Sequence, residues 1–335
     1  MLRTGSRNAT IESVAARAGV SRQTVSNVLN APDRVSPQTA ERVRRAIAEL
    51  GYRPNWMARR LRNRAGRVLG FHIQAADHPG LGNLIDRFLH AVTSHAERAG
   101  YRLLLFTQSE SCEAELGTYE ELVATGTVDG FVLCDVRAED ERLPWLVERR
   151  VPFVCFGRPW GQELRCAWVD VDGALGTGQA VDHLVGRGHT RIGYLGWHPG
   201  SGFGDDRALG WRRTMQRHGL STDDLQEQTD DNVDAAAAAA SGLLAIADPP
   251  TAFVCASDTL AVGVRLATRS GPEVDVVGFD DSPVASLLLP PLSSVRQPLE
   301  DVARAIVRLL VEQLDRNTQS AEGVLLPPQL VVRDG

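Results

Sequence analysis

The chain contains no lysine; all 36 of its basic residues are arginine. We read this absence as the codon usage of a GC-rich genome rather than as a functional feature. Cysteine is sparse. The five residues Cys112, Cys134, Cys155, Cys166 and Cys255 are odd in number and widely spaced, with no C-x-x-C among them. That pattern argues against a disulfide framework or a zinc site and for buried free thiols in a reducing compartment. No apolar run is long enough to cross a bilayer. The opening "MLRTGSRNAT" is positively charged but has no apolar segment behind it, so no secretory signal is expected and the cytoplasm is the expected location. What remains is a chain of 335 residues with ordinary apolar content, enough for more than one globular domain.

Its charge is unevenly placed. Residues 1–67 carry 14 arginines against four acidic residues, a net of +10, and the remainder carries 22 against 38, a net of −16. A basic head on an acidic body suggests a polyanionic partner for the head alone.

The stretch "VAARAGVSRQTVSNVLN", 14–30, shows how the head would meet that partner. Thr10 is placed to cap a first helix, with Ile11, Val14, Ala15 and Ala18 on one apolar face. Gly19 ends it and Ser21 caps a second helix after a very short turn. At about 100° per residue, Arg22, Gln23, Ser26, Asn27 and Asn30 fall on one side of that second helix. Thr24, Val25, Val28 and Leu29 fall on the other. The first group holds a guanidinium, amides and a hydroxyl but no carboxylate, whereas a merely solvated face mixes glutamate with its arginine. Two short helices joined by a glycine turn read as a helix-turn-helix, whose second helix enters the major groove. A third helix should follow, capped by Ser36 with Pro37 at its first position, and Ala40, Val43, Ile47 and Leu50 as its buried stripe.

These residues carry a resemblance. "TIESVAARAGVSRQTVSNVLN" followed by "VSPQTAERVRRAIAELGYRPNWMARRLR" resembles the DNA-binding head of the lactose-repressor (LacI/GalR) family of bacterial transcription regulators, nearly unbroken over 9–62. The resemblance implies DNA contacts by Thr10, Ser21, Arg22, Gln23, Thr24, Ser26 and Asn27, with Arg22 and Gln23 reading bases, Ser21 capping and touching phosphate, and Thr24 also suited to packing. In "RPNWMARRLR" a proline start is followed by Arg59, Arg60 and Arg62, with Ala58 and Leu61 on one face. A helix this short is marginal alone in water. In the family it is a hinge helix that pairs with its dimer mate in the minor groove. Asn55, Ala58 and Leu61 are then DNA contacts, Leu61 as the wedge that kinks the duplex.

From Arg67 onward, buried-strand runs ("RVLGFHI", "YRLLLFT", "VDGFVLC", "PFVCF", "RIGYLG", "TAFVCAS", "VDVVGFD") alternate with helical stretches near 84–99, 173–187, 204–218, 234–247 and 299–315. This βα repeat predicts parallel sheet, and "AAAAAA" at 235–240 is good helix former. The expected fold class is a small all-α helix-turn-helix head plus an α/β body. The resemblance implies that the body is two-lobed and periplasmic-binding-protein-like (type I), with the chain crossing between lobes. The expected division is a head over 1–53, a hinge and linker over 54–66, and an effector-binding and dimerisation body over 67–335. Its N-lobe would take about 67–158 and 292–320, and its C-lobe about 159–291 and 321–335.

Ligands in open parallel sheets sit off the carboxyl ends of strands. Those ends supply Gln74, Arg158, Trp168, Asp170, Trp197, Ser257, Asp258 and Asp280, and Arg207 of "GDDRALGW" joins them from the first turn of a helix. Arginine with carboxylate can grip vicinal hydroxyls, and an indole can face a sugar ring. By the resemblance Arg207, Asp280 and Trp168 match effector contacts, and Arg158 follows a strand end used the same way. The expected effector contacts are Gln74, Arg158, Trp168, Asp170, Arg207, Ser257 and Asp280. Plainer roles compete: Asp258 as an N-cap of a helix starting at Thr259, Trp211 as core, and Arg207 as a helix-start partner of Asp205 or Asp206.

Neither a P-loop, a G-x-S-x-G nor a His pair at zinc spacing occurs, and "GSGFGDD" reads as a cleft loop rather than a dinucleotide fingerprint. No catalytic residue, metal site or cofactor is expected. The expectation is a repressor that binds a palindromic operator as a homodimer, with no membrane partner. A sugar or glycoside is its first-choice effector and a purine the second. An enzyme, a sugar-binding protein without a DNA role, and a ligand-free DNA-binding scaffold are the alternatives. No leucine-heptad tail follows "VVRDG", so a tail-mediated tetramer is not expected.

Overall fold

The computed structural model describes residues 10–30, 35–50, 67–73, 82–107, 112–136, 139–161, 164–269, 271 and 273–333. Three helices make the head: α1 (Ile11–Ala18), α2 (Arg22–Asn30) and α3 (Pro37–Leu50). Thr10 caps α1 in a reciprocal capping box with Ser13, and Gly19 closes it at φ 65°, a conformation glycine adopts without strain. Val14, Ala15, Ala18, Val25, Val28, Ala40, Val43 and Ala46 form the core between the helices. Ile47 is only half-buried, and Leu50, expected in the stripe, lies exposed at the end of α3 while Ala46 takes an inner position.

The body holds two six-stranded sheets. Chain order in the first part is β1 (Val68–Ile73), α4 (Gly82–Arg98), β2 (Arg102–Thr107), α5 (Cys112–Thr125), β3 (Gly130–Leu133), α6 (Arg142–Arg149), β4 (Phe153–Phe156) and β5 (Ala167–Val171). Then come α7 (Gly173–Gly186), β6 (Ile192–Gly196), α8 (Phe203–Arg217), β7 (Gln226–Gln228), α9 (Val233–Leu244), β8 (Ala252–Cys255), α10 (Asp258–Ala267) and β9 (Asp275–Phe279). The last part is α11 (Pro283–Leu287), β10 (Ser293–Arg296), α12 (Leu299–Arg316), β11 (Gly323–Leu326) and β12 (Gln329–Val331).

The first sheet runs β11-β5-β4-β3-β1-β2, all parallel. The second runs β12-β10-β9-β8-β6-β7, parallel except for the β10–β12 pair. The chain therefore passes between sheets three times, after β5, β10 and β11. This corrects the expected lobe limits. Residues 167–171 and 323–326, expected in the C-lobe, belong to the first sheet, and 293–296, expected in the N-lobe, belongs to the second. Strand patterning tells that a segment is buried, not which sheet it joins.

Each lobe has its own core. α12 buries Leu299, Val302, Ile306, Leu309 and Leu310 against the first sheet, while Trp211, Tyr194, Phe253 and Phe279 lie fully buried in the second. Trp211 is thus core. The alanine run lies in α9 because α10 comes very close. A Cβ on Gly263 would stand 2.4 Å from Ala236 Cβ and 2.7 Å from Val233 O. Cys134, Cys155, Cys166 and Cys255 are free and buried. No helix among the described residues is long and apolar enough to cross a membrane.

Candidate effector site and nucleic-acid interface

The carboxyl ends of the strands of both sheets face one cleft, as parallel topology requires. Arg207 is its central residue. Gly202 precedes α8 with φ 67°, and Asp205 turns back to accept from the Gly200 and Gly202 amides at 2.9 and 3.2 Å. That loop geometry sends Arg207 inward, 5% exposed, with its guanidinium carbon 3.7 Å above the Phe279 ring centroid and 5.1 Å from that of Trp197. Nη1 donates to Ala256 O, and Nη2 lies 3.7 Å from Asp280 Oδ1. Asp205 and Asp206 have other partners, so Arg207 is not the helix-start bridge that competed with the effector role.

Asp280 follows β9 at φ 104°, a costly backbone for a residue with a Cβ. It is buried, accepts from Gln297 Nε2 at 2.6 Å, and its carboxyl pKa is pushed up to about 7. Burial raises it, Arg207 pulls it down, and the nearby Asp258 pushes it up again.

From the other lobe, Arg158 leaves the end of β4 through Gly157. Its Nε donates to Asp170 Oδ2 at 2.7 Å and its Nη2 to Asp206 Oδ2 at 2.8 Å. Asp206 also accepts from Ala174 N at 3.0 Å. Asp170 is buried, and its pKa is raised by burial in spite of the Arg158 charge. The first lobe's wall is stiffened by Arg142, which is buried and forked onto Asp140 while Nη2 donates to the Cys134 and Asp135 carbonyls. Its Nη1 lies 3.0 Å from His72 Nδ1. A guanidinium only donates, so Nδ1 accepts and the His72 proton sits on Nε2.

Of the residues expected at the site, Arg158, Asp170, Arg207 and Asp280 come together. Trp168 does not. It stands two residues before Asp170 in β5 and packs over Gly323, with the apolar cluster of Phe131, Cys155 and Cys166 on its side of the sheet. Ser257 is taken up structurally: it caps α10 through the Leu260 amide and donates to Asp231 Oδ1 at 2.6 Å. Asp258, expected as the cap, is instead the first residue of α10. Its carboxylate accepts from Ser282 N, Ser282 Oγ and Ser294 Oγ at 2.5–2.7 Å. Gln74 lies outside the described residues. The sequence reading missed His72, Phe156, Phe203, Asp206 and Gln297, all lining the cleft. His72 and Phe156 lie at or next to strand ends already identified. Gln297 follows β10, which had not been recognised as a strand.

On the head, Arg22, Gln23 and Asn27 lie along one accessible face of α2, with Gln23 Nε2 donating to Asn27 Oδ1 at 2.9 Å and Arg22 Nε 3.1 Å from Glu12. Ser21 accepts from Thr24 N at 3.0 Å, and its hydroxyl meets that of Thr24 at 2.9 Å. Thr10 is exposed beside α1. Ser26 departs from the expected outward face: it is 8% exposed, small enough to sit within the helix packing. Asn55, Ala58 and Leu61 lie outside the described residues.

A helix-turn-helix head joined to a two-lobed body, with buried arginine and carboxylate groups set among apolar side chains in the interlobe cleft, defines a DNA-binding transcription regulator. Residues 10–55 match the family model for bacterial regulatory proteins of the lacI family, and 181–335 match that of a periplasmic binding protein-like domain. The HTH-type transcriptional regulator CelR of Thermobifida fusca is 36% identical, over 98% of each chain. A solved structure described as the transcriptional regulator CelR–cellobiose complex superposes with a TM-score of 0.74 at 33% identity, covering 97% of this chain and 99% of that one. The lac repressor dimer bound to operator and an anti-inducer gives 0.68 at 25% identity, over 98% of both. The chain belongs to the lacI family of transcription regulators.

Proposed function

We propose that this regulator is a repressor whose operator affinity is set by a sugar or glycoside held between the lobes by Arg207, Asp280, Arg158 and Asp170. The observation that carries the reading is the arrangement around Arg207. A buried guanidinium and a carboxylate stand 3.7 Å apart on aromatic faces, and a second guanidinium reaches across the cleft to Asp206. Fixed forks and carboxylates match vicinal hydroxyls, and Phe203 and Trp197 offer faces for ring C–H groups. The relative solved as a cellobiose complex supports the same ligand class. The cleft serves binding, with no catalytic role.

The operator is palindromic and is bound by a homodimer, since two equal heads on a two-fold axis need equal half-sites. Leu287 and Leu289, 77% and 94% exposed, offer apolar surface to a second copy, and the lac repressor relative is a dimer on its operator. Arg22, Gln23 and Asn27 read bases, Thr10, Ser21 and Thr24 support the head on the backbone, and Asn55, Ala58 and Leu61 act in the minor groove. The protein works in the cytoplasm. A thermal-shift screen of sugars and purines, run with and without promoter DNA, tests the reading. A sugar should raise the melting temperature and alter operator affinity; stabilisation by purines alone would overturn it.

A further inference from the structure

Arg87 crosses between the lobes at a place the reading above leaves unused. It lies half-buried on α4, in the first lobe. One terminal nitrogen, Nη1, donates to two carbonyls of the second lobe, Asp280 O at 2.9 Å and Asp281 O at 3.0 Å. Those two residues form the turn after β9, and both have positive φ, 104° and 46°, which is costly for a residue with a Cβ. The turn is fixed to its own lobe. The Asp281 carboxylate accepts from Arg296 Nε at 2.6 Å and from Arg333 Nη2 at 2.5 Å. The Asp281 amide donates to Ser294 Oγ at 3.0 Å, and Asp280 accepts from Gln297. A displacement of Asp280 therefore carries the whole turn with it, carbonyls included.

α4 is set as firmly in the first lobe. Phe88, the next residue, is fully buried, with its ring centroid 5.8 Å from that of Phe71 in β1 and 4.6 Å from that of Phe156. β1 begins at Val68 and is the first strand after the head. Arg87 thus joins the turn that carries Asp280 to the helix packed on that strand. Its two bonds are charge-assisted. They go to backbone oxygens and use no side chain assigned to the ligand.

We infer that Arg87 is a positioning residue that transmits the state of the cleft to the head, by tying the Asp280–Asp281 turn to α4 and so to β1. This rests on the reading that the cleft sets operator affinity, and on no particular ligand. A purely structural Arg87 would only support the strained turn. Its loss would then lower the melting temperature and leave the coupling intact.

A double-mutant cycle on the full, unliganded chain separates the two. Arg158→Ala breaks the pair to Asp206 and so alters the cleft with no ligand present. On its own it should shift operator affinity, read by fluorescence anisotropy, about fivefold or more, the low end of couplings between sites. Arg87→Met keeps the length of the stem and loses the donors. In that background Arg158→Ala should shift operator affinity less than about twofold, because the two sites no longer interact. Arg87→Lys keeps a charged donor and should restore most of the shift. Arg87→Gln takes the place of Arg87→Met if the latter melts below the assay temperature. A shift as large without the Arg87 donors as with them, or no shift from Arg158→Ala alone, overturns the inference. Both results are read without sugar and leave the ligand reading to the thermal-shift screen; a screen that finds no sugar overturns that reading alone.

Discussion

Arg158 and Asp206 belong to different lobes and meet at 2.8 Å, side chain to side chain. Asp170 holds the same guanidinium from its own lobe at 2.7 Å. This arrangement leaves a cavity of only about 70 Å3, far below the roughly 300–1,000 Å3 of ligand pockets. An effector therefore has to displace the contact and take over its hydrogen bonds. Arg158→Ala should open the unliganded body, raising its radius of gyration in solution scattering. It should also weaken the effector by about 1.5–3 kcal/mol, the range for hydrogen bonds to a charged group. An unchanged radius would show that the pair does not hold the lobes.

Arg207 and Asp280 make the second test. Arg207 of α8 and Asp280 after β9 are both buried and stand 3.7 Å apart, with Arg207 also donating to Ala256 O and Asp280 accepting from Gln297. Arg207→Ala and Asp280→Ala should each abolish the effector response. If the effector is an inducer, the unliganded variants keep operator affinity within a few-fold; if it is a corepressor, they bind operator weakly whatever is added. Effector affinity equal to wild type in both variants, measured by calorimetry, would remove them from the site.

Asp280 also makes stability depend on pH. Its ordinary value of 3.8 is raised to about 7 in the folded protein. Below about 4 the group is protonated in both folded and unfolded chains, and its protonated form stabilises the fold in full. As pH climbs from about 4 to 7 the unfolded chain ionises first, so that contribution drains away and is gone above 7. The melting-temperature advantage of Asp280→Asn over wild type should therefore widen from pH 5 to pH 8. A constant difference over that interval would mean that burial does not raise this carboxyl. Asp182, Asp275 and Asp281, held low by arginine and histidine partners against the opposing effect of burial, act in the reverse sense and matter only in acid.

Much of this was legible from residue patterns. Period and caps located α1, α2 and α3, because Thr10, Gly19 and Pro37 act locally. Seven of the strand runs were legible as well, being short apolar stretches between turns. β5, β10 and β11 were assigned to the wrong lobe because sheet membership is settled by pairing over long separations, as between Trp168 and Gly323. The same fact displaced Trp168 from the cleft. A strand's end faces the ligand, but a residue two positions earlier on the same face enters the core if a glycine opposite makes room. Ser26 departs for a related reason: a wheel divides a helix into two sides and cannot tell which residue at the boundary is buried. Arg207, Asp280, Asp170 and Arg158 could be placed at the cleft because a charged residue at a strand or helix end has few other places to go. Asp206 and Gln297 were not, since each depends on a partner contributed by a distant segment.

The last test concerns base reading. Gln23 stands in the first turn of α2, exposed, with its amide nitrogen committed to Asn27 Oδ1 at 2.9 Å. That bond orients the carboxamide before DNA arrives and leaves the Gln23 oxygen and the Asn27 amide free to face the groove. Replacing Gln23 with Ala should cost roughly 1–3 kcal/mol on the cognate operator and little on random duplex, because base contacts carry sequence information and phosphate contacts do not. Asn27→Ala should cost less than Gln23→Ala on the same operator, since it removes the support as well as any contact of its own but leaves the Gln23 side chain in place. Fluorescence anisotropy on both duplexes at a fixed salt concentration reads these differences. Equal losses on operator and random DNA would assign Gln23 to the backbone, and a larger loss from Asn27→Ala would make Asn27 the principal reader of the pair.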